Sequence, residues 1–176
     1  VEDVPFQAWR LLGRTRLNPG SAAAAMWHVR LQPPSDASWQ AGDILEIAPR
    51  HGTDHVAAVL AHVGLDAATP VTVDGRTQAL ASAAAARDLP QLALPMAPVH
   101  DAQAWIDDLP PLPHREYSLA SIPSDGAAEL VVRLATLPDG RHGSGSGWLC
   151  VHAPEGAAVQ ARVRRGAFGR VYAQPA

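Results

Sequence analysis

Arg115, Tyr117 and Ser118 fall within four consecutive residues, Arg115-Glu116-Tyr117-Ser118, which follow Pro110-Pro111-Leu112-Pro113-His114 and precede Leu119-Ala120-Ser121-Ile122. The stretch reads as a strand carrying a fixed cation, a flat aromatic face and a small hydroxyl. Side chains alternate along a strand, so Arg115 and Tyr117 share one face and Ser118 takes the other. Arginine stays charged at any working pH and presents a planar fork of donors suited to phosphate oxygens. Tyrosine adds a stackable ring with a polar tip. A ligand that carries both a diphosphate and a flat conjugated ring fits this set, and FAD is such a ligand. An ordinary strand with its arginine and tyrosine on a solvated face would look the same.

A second candidate is Gly140-Arg141-His142-Gly143-Ser144-Gly145-Ser146-Gly147-Trp148-Leu149. Glycines let backbone N–H groups approach an anion closely, and a following helix aims its positive end at it. Ser146 can add a hydroxyl donor. A flexible Gly/Ser linker is the plain alternative, but Trp148-Leu149-Cys150-Val151 resumes an apolar run at once, as a packed turn would. No Gly-Lys-Ser/Thr follows, so this is not a Walker loop. A hydrolase elbow is set aside, because no parallel βα repeats precede residues 143–147 to form its strand-to-helix turn.

Other residue types are less telling. His51 and His55 are four apart, but no glutamate stands between them in the protease pattern, so the eight histidines read as solvated surface residues and no metal site is expected. Asp101, Asp107 and Asp108 read as a polar helix face, and Asp43 and Glu46 as structural. The single cysteine, Cys150, excludes an internal disulfide framework and a cysteine-based zinc site. A net charge of −3 and a pI near 6.2 leave no electrostatic footprint for nucleic acid. No apolar run reaches the roughly 18 residues of a membrane span, and no signal peptide opens the chain. The 176 residues suit one domain, or one domain with a small insert. The chain reads as soluble and cytoplasmic, and as a piece of something longer.

These candidates need a frame to hold them. Gln7–Arg14, Met26–Leu31 and Ile44–Ala48 read as strands, separated by the turn Asn18-Pro19-Gly20 and the breaks at Pro33-Pro34 and Ala41-Gly42-Asp43. From Thr53 the spacing turns helical: Val56, Val59, Leu60 and Val63 recur on one face, Thr53 or Asp54 is placed to cap the start, and Gly64 to cap the end. Pro70–Thr77 is extended with an Asp74-Gly75 turn, and the Ala-rich Gln78–Arg87 predicts a second helix. Pro90, Pro95 and Pro98 make an irregular tether before a short helix at Ala102–Asp108. Glu129–Thr136 and Val159–Arg164 read as strands, and Gly166-Ala167-Phe168-Gly169 turns away from the last of them.

Taken in order, these stretches resemble the FAD-binding domain of the diflavin branch of the ferredoxin-reductase superfamily, to which NADPH-dependent sulfite reductase flavoproteins and microsomal cytochrome reductases belong. The resemblance covers nearly the whole chain. It rests on Gly42-Asp43-Ile44-Leu45-Glu46-Ile47-Ala48-Pro49, on the Arg-x-Tyr-Ser motif within residues 113–121, and on Gly143–Leu149, similar to the family's Gly-x-x-[Ser/Thr]-x-Trp-Leu phosphate loop. It implies a mainly β fold, a six-stranded antiparallel Greek-key barrel from residues 1–52 and 110–176, with a short α-helical connecting insert at 53–109. It also implies an oxidoreductase that relays electrons from NADPH through FAD to FMN, a flavodoxin-like domain or another acceptor. Arg115, Gly143, Ser144, Gly145 and Ser146 would hold the FAD diphosphate, and Tyr117 would pack on the isoalloxazine ring. Ser118 would be the catalytic hydroxyl near N5, where hydride arrives, and the backbone of Arg133, Leu134 and Ala135 would touch the pyrimidine edge. The Gly-rich loop of an NADPH-binding domain is absent from this chain, and the parent is open to a membrane anchor. Leu137-Pro138 stands where many relatives place an aromatic for the adenine. The competing expectation is a flavin-free β-barrel that serves as an interaction module.

Overall fold

The computed structural model describes residues 4–93 and 95–166, so Phe168 and Gly169 lie outside the described residues. The chain divides into two compact units, Val1–Pro49 with His114–Ala176, and Arg50–Pro113. Among the described residues no helix is long and apolar enough to cross a membrane.

Among the described residues the strands are β1 (Gln7–Arg16), β2 (Met26–Gln32), β3 (Ile44–Ala48), β4 (Pro70–Val73), β5 (Arg76–Ala79), β6 (Arg115–Ser118), β7 (Ala128–Arg133) and β8 (Ala158–Arg164). In the first unit six of them form one sheet in the order β6-β3-β8-β1-β2-β7. Every pairing in it is antiparallel. The alternation in the sequence is what buries its inner face: Trp9 and Leu11, Val29 and Leu31, Leu130 and Val132, Val159 and Ala161 all point into one core. Each such fully buried aliphatic side chain contributes about 1.5–3 kcal/mol.

The sheet is open. Its edge strands β6 and β7 meet only beyond the end of β6, at the single bridge Leu119–Leu130, with Ala120 N donating to Glu129 O over 2.8 Å. Of the six-stranded antiparallel barrel expected from the sequence, the six antiparallel strands are present, in a sheet that is not closed. β7 also stops at Arg133, short of the expected Thr136: Leu134 N still donates to Ala25 O in the register of β2, but the Ala135 amide leaves it for Ser146 Oγ.

Two irregularities interrupt the pattern of this sheet. β3 is buried on both faces, and its one charged residue, Glu46, is 6% exposed. β1 carries a bulge between Leu11 and Gly13, so that Leu11 stands opposite Leu31, Gly13 opposite Arg30 and Arg14 opposite Val29. Residues three apart on a regular strand face opposite ways. The extra residue brings Arg14 back to the side of Leu11, opposite a fully buried valine.

The second unit holds the two-stranded β4-β5 sheet and three helices, α1 (Thr53–Val63), α2 (Leu80–Ala84) and α3 (Ala102–Asp108). α1 buries Val56, Val59, Leu60 and Val63 and ends at Gly64 in the left-handed conformation, φ 79°. Its N-cap is Gly52, with no side-chain bond, not the Thr53 or Asp54 expected. The helix expected over Gln78–Arg87 shrinks to α2, because Gln78 pairs with Val71 in the β4-β5 hairpin and strand pairing overrides the propensity of the alanines. Asp74 and Gly75 both take positive φ, 50° and 76°, as the two-residue turn of that hairpin demands. Asp101 caps α3 by accepting from Ala104 N over 3.1 Å. The two ends of this unit are tied to one place: His51 N donates to Ala85 O (2.8 Å) and Leu112 N to Ala86 O (2.9 Å).

Candidate functional site

β6 pairs with β3 so that Tyr117 stands opposite Leu45 and Arg115 opposite Ile47, both of them fully buried core residues. Arg115 and Tyr117 therefore point to the core side of the sheet, at its edge, where the core gives way to a helical segment. That segment is α4 (Ser144–Gly147), continued directly by a π-helical turn at Trp148–His152. The glycines are thus the first turn of the helix and not a loop before it.

Their role is space. None of Gly143, Gly145 and Gly147 has a positive φ. A Cβ added at Gly145 would lie 2.6 Å from Arg115 Cγ, 2.8 Å from Arg115 Cβ and 2.6 Å from Tyr117 Oη, closer than packed atoms allow. Only a residue without a side chain lets the arginine stem and the tyrosine hydroxyl rest on this turn. Gly147 is held in the same way, with His142 Cβ 3.0 Å from where its own Cβ would be.

The turn is rich in donors. The first intrahelical bond runs from Gly147 N to Gly143 O (2.7 Å), so the N–H groups of Ser144, Gly145 and Ser146 precede it, as at any helix start. Ser146 is buried, and its Oγ accepts from Ala135 N over 3.0 Å, which leaves its own proton to donate. Ser144 Oγ is out of water with no partner. Gly143 N donates to Ala135 O at 2.8 Å, tying the turn to the end of β7. Arg115 is exposed and spends one N–H on the neighbouring His114 carbonyl, at 3.3 Å. Burial pushes the Tyr117 hydroxyl up to about 12, helped by nearby Cys150 and opposed by Arg115, so the phenol is neutral. The arrangement offers a cation, a neutral aromatic ring and a set of N–H and O–H donors, which is the chemistry a diphosphate attached to a flat ring requires.

The structure thus brings together Arg115, Tyr117, Gly143, Ser144, Gly145, Ser146 and Ala135. Ser118, opposite Ile44, is exposed on the other face of β6 from Tyr117. Arg133, the last residue of β7, stands opposite Met26 of β2. The amides of Leu134 and Ala135 are both committed within the protein, so a backbone contact from either falls to its carbonyl, and that of Ala135 already accepts from Gly143 N. Leu137, exposed, opens a small hairpin closed by its own N–H to Arg141 O (2.7 Å) and by the Arg141–Asp139 pair (2.7 Å).

On the outer face of β3, Glu46 is gripped by Arg162, with Nε–Oε2 2.8 Å and Nη2–Oε1 3.3 Å, and by His114 Nδ1 at 3.2 Å, with Arg164 at 3.5 Å. The Arg162 bond, against the opposing effect of burial, holds the Glu46 carboxyl below its ordinary value, and His114 adds to it. Phe6 packs edge-on to His114 and under the Arg162 guanidinium. Asp43 accepts from Gln40 N and Gly166 N, fixing the turn into β3. A cavity of about 440 Å³ lined by Trp9, Trp39, Asp36 and Arg162 includes none of the residues on α4 or β6. Among the described residues no group of three or more histidine, cysteine or acidic side chains could hold a metal.

Reading the sequence did not single out Arg14. Its Nη1 donates to Leu149 O over 2.7 Å and its Nη2 to Ala153 O over 2.5 Å, across 135 and 139 residues of chain. The available signal was Gly13 interrupting the alternation just before a charged residue. No protein-family model matches this chain, and neither does any curated protein.

Proposed function

We propose that the first unit is the FAD-binding domain of an NADPH-dependent flavoprotein reductase, an oxidoreductase of the diflavin type, its open six-stranded sheet corresponding to that family's Greek-key barrel. The observation that carries this reading is the seating of Arg115 and Tyr117 on Gly145, which puts a cation, a flat ring and a helix start side by side. The residues fit the cofactor: Ser144 Oγ is a buried hydroxyl with no partner, and Ser146 keeps a proton to give. When bound, FAD supplies the redox chemistry, taking hydride from NADPH and passing electrons on singly.

The chain's own residues bind and orient. Arg115 neutralises the diphosphate, and Ser144, Gly145 and Ser146 donate to it. Tyr117 covers the ring and keeps water from it, and being neutral it adds no charge there. Ser118, on the other face of β6 from Tyr117, stands apart from this set. NADPH binding and the FMN or flavodoxin-like acceptor belong to other domains, in a cytoplasmic setting, and residues 53–109 form the connecting insert. The test is the visible spectrum of the purified chain with FAD, before and after gel filtration, repeated for Arg115→Ala. Flavin bands that travel with the protein and weaken in the variant are expected. A chain that retains no flavin in excess FAD would overturn the reading in favour of a flavin-free interaction module.

A further inference from the structure

We infer that Arg14, delivered by the bulge in β1, is a positioning residue for the diphosphate subsite, and this rests on the FAD reading above. Three observations converge on it. The bulge between Leu11 and Gly13 turns Arg14 toward the core side, opposite the buried Val29, where an arginine is costly unless its donors are used. They are used on one target, the carbonyls of Leu149 and Ala153. Those carbonyls end the same helical segment whose first turn, Ser144–Gly147, carries Gly145 against Arg115 and Tyr117.

The segment is short and irregular, an α-turn running into a π-turn whose closing bond is Ala153 N to Trp148 O, 2.8 Å. So short a helix has little rigidity of its own and keeps the place its ends are given. One end is given by Ser146 Oγ on Ala135 N and Gly143 N on Ala135 O. Arg14 gives the other. A guanidinium on two carbonyls fixes both the axial position and the rotation of the segment, and its charge complements the negative end of the helix. The three N–H groups at the far end are thereby held in register with Arg115 without any contact between Arg14 and the ligand.

The experiment compares the affinity of the 176-residue chain for FAD and for riboflavin, which has the ring but no phosphate, in wild type, Arg14→Met and Arg14→Lys. Methionine keeps an apolar stem and removes both donors, so FAD affinity is expected to fall about tenfold while riboflavin affinity stays within about twofold. Lysine, with a single ammonium to offer, is expected to fall between, again for FAD alone. If FAD and riboflavin affinities drop together in the lysine variant, Arg14 is merely structural and the inference fails. It fails equally if the folded methionine variant binds FAD as tightly as wild type. A wild-type chain that binds neither flavin overturns the cofactor reading itself, which separates the two failures.

Discussion

Tyr117 Oη stands 2.6 Å from the point that a side chain on Gly145 would occupy, so the tyrosine of β6 and the second residue of α4 share one volume. Gly145→Ala is therefore expected to push β6 and α4 apart, because the other clash is with the base of the Arg115 side chain and not its mobile tip. Overpacking of this kind costs about 1–3 kcal/mol. Urea unfolding would measure it, and FAD retention on gel filtration should fall in the same variant.

Ser146→Ala removes the acceptor of the Ala135 amide. A part-buried N–H left without a partner costs about 1–3 kcal/mol. Loss of the hydroxyl proton is expected to weaken FAD binding, as Ser144→Ala should too, while only Ser146→Ala strands the Ala135 amide and lowers stability. Unfolding and flavin titrations on both variants check this.

Burial raises the Cys150 thiol to about 11 from 9.0, with Arg14 opposing. Near pH 8 this leaves about a hundredth of the thiolate an unperturbed cysteine would have. Native protein should accordingly be alkylated by iodoacetamide at least about a hundredfold more slowly than urea-unfolded protein, as followed by mass spectrometry. Equal rates would mean that the Trp148–His152 turn opens freely.

Glu46 is expected to make the sheet sensitive to acid. Its folded value lies below the ordinary 4.5, so its contribution to stability is complete above that pH and is lost as pH falls through the folded value. Wild type should lose stability on acidification below about pH 4.5, and Glu46→Gln should lose less over the same range. At neutral pH the variant should be weaker by about 3 kcal/mol, since Arg162 keeps its charge and loses its carboxylate. Urea midpoints against pH would show both effects.

Where local chemistry decides, the sequence was a sufficient guide. The stripe Val56-Val59-Leu60-Val63 with Gly64 is α1, and the apolar alternation is the sheet, since burial on one face enforces the period. Asp74-Gly75 marked its hairpin, but the alanines after it suggested more helix than pairing with β4 leaves room for. The site was legible as residue types and only partly as geometry. Gly145 could be named, but its reason, the approach of Arg115 and Tyr117 from a strand about thirty residues back, is tertiary. Arg14 and the Glu46–Arg162 pair were illegible because their partners lie more than a hundred residues away, at distances no periodicity encodes.

β3 leads into the second unit and β6 follows it, and the two strands are hydrogen-bonded neighbours, Ile47 opposite Arg115. To the sheet, everything from Arg50 to Pro113 is the loop of a hairpin. Its own ends are gathered at Ala85 and Ala86. Doubling such a loop costs only about 0.6 kcal/mol in closure entropy. Inserts of different length are accordingly expected to be exchangeable between β3 and β6 with the pairing of Ile47 and Arg115 kept.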